Sequence, residues 1–147
     1  VGKITDIDIG IIEDCLKTGY IPVIATVGYD NRGNVYNINA DTAAAELAVG
    51  LQAEKLILLT DVRGVLADPQ DESSLLHVIH PEELALYRES GVLKGGMIPK
   101  TDCCVEAVRS GVKNTIILDG RIPHSILIEM LTDEGIGTMI LNKEEHA

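Results

Sequence analysis

Short runs of consecutive β-branched and leucine residues alternate along this chain with stretches in which apolar side chains recur every third or fourth position. These are the rhythms of a buried strand and a half-buried helix. Ile7, Ile11, Ile12 and Leu16 stand at helical spacing and Gly19 follows as a stop, which predicts a helix over residues 6–18. The run from Ile21 to Val27, with Pro22 near its start, predicts a strand buried on both faces. Turn formers between Tyr29 and Tyr36 predict a hairpin. Ala44, Ala45, Ala48 and Leu51 fall near one face of a helix predicted over residues 42–51, and the strand 55–60 follows at once. Residues 67–74 are polar and loop-like. Pro81 suits a first helical turn and Glu82 and Glu83 suit its dipole, predicting a helix over 81–90. Pro99 repeats the device for a helix over 100–110 closed by Gly111. A strand at 114–118, a helix at 123–131 and a strand at 138–141 complete the alternation.

Strands alternating with helices imply an α/β fold whose largely parallel sheet is covered on both faces. Composition agrees: 46% of the 147 residues are hydrophobic, yet Trp and Phe are absent, so Ile, Leu, Val and Ala must build the core. The length suits one domain, with at most a weak division near residue 50. A net charge of −11 and the lack of clustered Lys and Arg argue against nucleic acid. A phosphorylated ligand stays compatible, because it needs only local cations, backbone amides and a metal. Cys15, Cys103 and Cys104 form neither an even set nor a C-x-x-C pair, which points to reduced thiols; no histidine stands at metal-ligand spacing to them. No apolar run reaches the roughly 20 residues of a membrane span. Val1-Gly2-Lys3-Ile4 has neither a signal-peptide layout nor an initiator Met, so the chain reads as one already under way.

Three polar stretches lie at predicted element ends. Asn37-Ile38-Asn39-Ala40-Asp41 precedes the alanine-rich helix, so two amides and a carboxylate at alternate positions can converge beside a helix N-terminus. The same residues also suit a turn and a cap, with Asp41 as the capping side chain. Thr60-Asp61 closes a strand, where open α/β sheets bind ligands, although Asp61 suits a turn equally well. Lys94-Gly95-Gly96-Met97-Ile98-Pro99-Lys100 opens a helix, where an ammonium and free amides can meet an anion; a solvated surface lysine is the plainer reading of Lys100. The P-loop, the dinucleotide fingerprint, the protein-kinase triplets and the G-x-S-x-G elbow are all missing. His77, His80, His124 and His146 offer no pairing for a nucleophile relay.

Taken together, Asn37 to Asp41, Leu58-Leu59-Thr60-Asp61-Val62-Arg63-Gly64-Val65 and Gly95 to Lys100 resemble, in this order, the amino-acid kinase family and within it the acetylglutamate kinases. The likeness runs from Gly2 to about Leu141. It implies a three-layer αβα sandwich around a mainly parallel sheet, with residues 1–50 the remainder of a substrate-binding half and 51–147 an ATP-binding half. The implied reaction moves a phosphoryl group from ATP to the γ-carboxylate of N-acetyl-L-glutamate in arginine biosynthesis, with Mg²⁺ held mainly by the nucleotide. By position, Asn37 and Asn39 would contact the acetylglutamate and Asp41 would organise the catalytic lysines. Lys100 would stabilise the transferred group, and Thr60, Asp61, Gly96 and Met97 would lie against the nucleotide. Asp41 and Lys100 are then expected to meet as an ion pair, with Asp61 across a gap sized for a triphosphate.

The family's opening strand, its glycine-rich turn with another phosphate-binding lysine, and an arginine that grips the substrate carboxylate have no counterpart here. The resemblance therefore makes this chain a carboxyl-terminal portion, inactive alone. Leu118-Asp119-Gly120-Arg121, Leu127-Ile128-Glu129 and Asp133 to Thr138 resemble the region that binds feedback L-arginine, with Glu129 and Gly135 as its contacts. Ile116 stands where some arginine-sensitive members carry a histidine. The resemblance also implies a homo-oligomer of hexameric type, a PII-type sensor as a partner, and a cytoplasmic or plastid setting. A catalytically silent domain that senses arginine or nucleotide is the competing reading. Aspartate and uridylate kinases are disfavoured by the spacing of Asn37 and Asn39 before Asp41.

Overall fold

The computed structural model describes residues 1–143. Its centre is a sheet of four strands in the order β3-β5-β6-β4: β3 (Lys55–Thr60), β4 (Val78–Ile79), β5 (Asn114–Asp119) and β6 (Thr138–Leu141). β3 pairs with β5 in parallel and β4 with β6 in parallel, while β5 and β6 run antiparallel. The expected αβα sheet is thus mixed and largely parallel. Pairing sets Thr60 beside Asp119 at the carboxyl ends of β3 and β5, which brings two polar strand ends to one edge. Leu56, Leu58, Ile116, Ile117, Leu118 and Ile140 are buried, as aliphatic residues in a covered sheet must be.

Two helices over this sheet carry the first site. α2 (Ala40–Gly50) and α4 (Met97–Arg109) pack through Ala45 and Ala48 on one side and Cys104, Val105, Ala107 and Val108 on the other. Their small side chains allow a close approach. Among the described residues the cysteines are unpaired, and burial pushes the Cys104 thiol up to about 12, which keeps it protonated and inert. Two further helices are α3 (Leu84–Glu89), entered through a 3₁₀ turn at Pro81–Glu83, and α5 (Ser125–Leu131). No helix among the described residues is long and apolar enough to cross a membrane.

Ahead of the sheet lie α1 (Gly10–Lys17) and a hairpin of β1 (Val27–Tyr29) and β2 (Val35–Asn37). α1 begins later than residue 6 because the Asp8 carboxylate accepts from the Gly10 N–H, turning the chain just before the helix. Asp30 knits the hairpin turn by accepting from the N–H groups of Arg32 and Asn34, the Asn34 amide and the Tyr36 hydroxyl. One expectation fails outright. Residues 21–26 form no strand, and Ile21 and Val23 are 90% and 97% exposed. A strand exists only where a neighbour shares its backbone bonds, and among the described residues of this stretch only Thr26 has one, its carbonyl accepting from the Ile38 N–H at 2.9 Å.

Candidate functional site

Asn37, Asn39 and Asp41 occupy the passage from β2 into α2. Asn39, in extended backbone, is the capping residue: its side-chain oxygen accepts from the Thr42 N–H at 3.1 Å. The capping role considered for Asp41 therefore falls to Asn39, and the Asp41 carboxylate in the first turn is free for another partner. That partner is Lys100, in the fourth position of α4, whose Nζ donates to Asp41 Oδ2 at 2.7 Å across 59 positions of chain. The lysine side chain is 19% exposed and the aspartate 29%, so the pair sits in a recess that remains open to solvent. Beside it, the Thr42 hydroxyl meets the Cys103 sulfur at 3.7 Å. Both contacts follow from the tight α2–α4 packing. Asn37 is exposed at the end of β2, with its carbonyl accepting from the Gly2 N–H.

Gly95, Gly96 and Met97 form the approach to α4. Gly95 has φ +53, a left-handed turn that glycine adopts without steric cost, and the Met97 N–H returns to the Lys94 carbonyl at 3.1 Å. The turn carries the chain into the helix that aims Lys100 at Asp41.

A second polar cluster stands at the carboxyl ends of β3 and β5. The Thr60 hydroxyl accepts from the Val62 N–H at 2.9 Å, and Asp61 between them is exposed. Asp61 makes no hydrogen bond to the Asp41–Lys100 pair; its charge acts on Arg121 instead. The Gly120 N–H donates to the Thr60 carbonyl at 2.8 Å, locking the two strand ends together. Beside it the buried Asp119 accepts from Arg121 three times, from Nε and the backbone N–H at 2.9 Å each and from Nη2 at 2.8 Å. This fork did not emerge from the sequence as a unit, although Asp119-Gly120-Arg121 at a strand end carries the signal for it. A groove of about 450 Å³ runs alongside, lined by Leu59, Arg121, Ile122, His124 and Leu127.

The side-chain and backbone hydrogen bonds from Arg121 hold the Asp119 carboxyl at about 2, below its ordinary 3.8. A lowered carboxylate pKa adds stability that is complete above the ordinary value and drains as pH falls through the folded one. The thermal midpoint of the native chain should therefore fall between about pH 4 and pH 2. In Asp119→Asn the deficit relative to the native chain, present at pH 7, should shrink across this window. A deficit independent of pH would show that the pair contributes nothing through its charge.

The predicted regulatory residues lie at a third place. Glu129 on α5 accepts from the Ile136 N–H at 2.9 Å, and Gly135 between them has φ +50. The carboxylate thus already braces the loop that leads into β6. Among the described residues no three Asp, Glu, His or Cys side chains converge as metal ligands.

A sequence profile of the amino acid kinase family matches residues 1–119. The chain is 53% identical over 141 residues to an acetylglutamate kinase of Heliobacterium modesticaldum, covering 96% of this chain and 48% of that protein. It is 54% identical over 140 residues to the acetylglutamate kinase of Thermoanaerobacter pseudethanolicus, covering 95% and 47%. The chain spans about half the length of the relatives it matches. Among solved structures it is similar to an N-acetylglutamate synthase from Neisseria gonorrhoeae complexed with coenzyme A and N-acetyl-glutamate. The TM-score there is 0.86 at 29% identity, over 95% of this chain and 32% of that one.

Proposed function

Because the chain belongs to the amino acid kinase family, we propose that it is the carboxyl-terminal portion of an acetylglutamate kinase, with residues 1–50 completing a substrate-binding half and 51–147 forming an ATP-binding half. The observation that carries this reading is the half-open ion pair of Asp41 and Lys100. In the proposed reaction an oxygen of the substrate γ-carboxylate attacks the γ-phosphorus of ATP. The new bond is O–P, the bond from the γ-phosphorus to the β,γ-bridging oxygen breaks, and ADP leaves with that electron pair.

A carboxylate with an ordinary pKa of about 4.3 is already ionised at neutral pH, so no residue has to remove a proton. The barrier is electrostatic: two anions must meet and negative charge spreads in the transition state. Lys100 supplies a cation in a recess with restricted water, and Asp41 fixes its direction. In this proposal Asn37 and Asn39 contact the acetylglutamate, Asn39 through whatever capacity its cap leaves. Thr60, Asp61, Gly96 and Met97 are the proposed nucleotide contacts. Mg²⁺ fits as a passenger on the triphosphate, since Asp41 is already committed to an ammonium; when bound it neutralises part of the phosphate charge. Regulation by L-arginine at Glu129 and Gly135, a hexameric assembly, a PII-type partner and a cytoplasmic or plastid setting extend the proposal from the resemblance.

The direct test uses a chimaera in which this chain is joined to the half of the Heliobacterium enzyme that it does not match. With ATP and hydroxylamine it should yield the hydroxamate of N-acetylglutamate. Preference for aspartate or uridylate as the acceptor would overturn the substrate assignment.

A further inference from the structure

The loop that carries Asp61 is fixed at both ends. At its start the Val62 N–H is held by the Thr60 hydroxyl, and at its end the Val65 N–H donates to the Thr138 hydroxyl at 2.8 Å across 73 positions. Thr138 is fully buried and Val65 nearly so. Between them Gly64 has φ +147, and a Cβ built there would lie 2.5 Å from the Thr138 oxygen, so only glycine admits this approach. Thr138 is also the first residue of β6, paired with Ile117, and lies two positions after Ile136, which Glu129 braces. One short segment, 136–138, thus touches both the α5 acid and the loop at the end of β3.

We propose that Thr138 is a positioning residue for nucleotide binding: its buried hydroxyl sets the loop that presents Thr60 and Asp61, and links that loop to the segment anchored by Glu129. The inference rests on the nucleotide role proposed above for Thr60 and Asp61. Its physical basis is that a buried N–H has one satisfying arrangement here. If the hydroxyl is lost, the loop must move to find water or leave the Val65 amide unpaired. Two ends held by side chains so far apart in sequence make the loop a rigid presenter of Asp61.

The experiment measures binding of Mg-AMP-PNP to this chain by titration calorimetry, with amide hydrogen exchange on the same samples. Thr138→Val, which keeps the shape and removes the hydroxyl, should weaken nucleotide binding by roughly 3- to 30-fold, the range in which coupled residues act. Thr138→Ser should restore affinity to within about twofold of the native chain, because the acceptor is retained. In the native chain, nucleotide should slow exchange in residues 61–65 and in 136–138 together, a readout that needs no variant to fold. A purely structural role would lower the melting temperature of Thr138→Val and leave its affinity unchanged, which overturns the inference. Protection confined to 61–65 would overturn it too. Absence of nucleotide binding by the native chain would instead remove the nucleotide assignment of Thr60 and Asp61, and this inference with it.

Discussion

Replacing Lys100 with Met in the chimaera is expected to lower kcat for acyl-phosphate formation by about 10³-fold, the scale on which single positioned charges act on phosphoryl and acyl transfer. Methionine keeps most of the aliphatic stem and removes the charge. KM for N-acetylglutamate should change little, because Lys100 is assigned to charge that develops during transfer. Stability should fall only by roughly 1 kcal/mol, since the pair is partly open and Asp41 can regain water. Lys100→Arg should be nearly as poor: a planar fork does not reproduce a point charge set 2.7 Å from Asp41. The assay is hydroxamate formation at saturating ATP, beside far-UV circular dichroism to verify folding. A Lys100→Met chimaera that turns over within about tenfold of its parent would break the catalytic assignment, and with it the choice of kinase over silent sensor domain.

The expectation that Asp41 and Lys100 pair comes from the family resemblance; local pattern supplies only the helix starts that carry the two residues. Both residues sit in the first turns of helices whose starts are written in nearby letters: an Asx cap before an alanine run, and two glycines before α4 with Pro99 in its first turn. A helix start fixes the direction of its first side chains, so a short motif carries real geometry. The limits of β3 and β6 were equally legible, because a covered strand must be continuously apolar. β4, only two residues long, leaves no periodicity to detect.

The remaining differences arise where the deciding partner is distant in sequence. Asn39 rather than Asp41 caps α2 because the passage from the hairpin sets Asn39 in extended backbone, and composition ranks the two as equals. The Asp119–Arg121 fork needs the pairing of β5 with β3 before its place beside Thr60 can be known. Thr138 looks like an ordinary strand threonine until Gly64 is seen against it. The antiparallel entry of β6 is likewise invisible locally, since nothing in Thr138–Leu141 states its direction.

Residues 21–27 lead to the second large effect: the chain by itself should form no detectable hydroxamate, and adding the unmatched half of the Heliobacterium enzyme as a separate polypeptide should restore it by at least about 10³-fold. Such a factor is what bringing reactants and catalytic groups into one geometry can supply. Ile21, Val23, Ile24 and Val27 have the composition of a covered strand, yet stand in solvent beside the exposed Tyr20 and Tyr29. Contiguous apolar surface of this kind marks an interaction site. Among the described residues β3 meanwhile ends the sheet with one side unpaired, its apolar Leu56–Leu59 run flanked by Lys55 and Thr60. Both features call for further strand and sheet, and the relatives are about twice as long as this chain. Val23→Lys should therefore prevent restoration while Mg-AMP-PNP affinity is unchanged, because residue 23 lies far in sequence from the proposed nucleotide loop. Robust turnover by the unsupplemented chain would mean that the recess around Asp41 and Lys100 already suffices to hold both substrates.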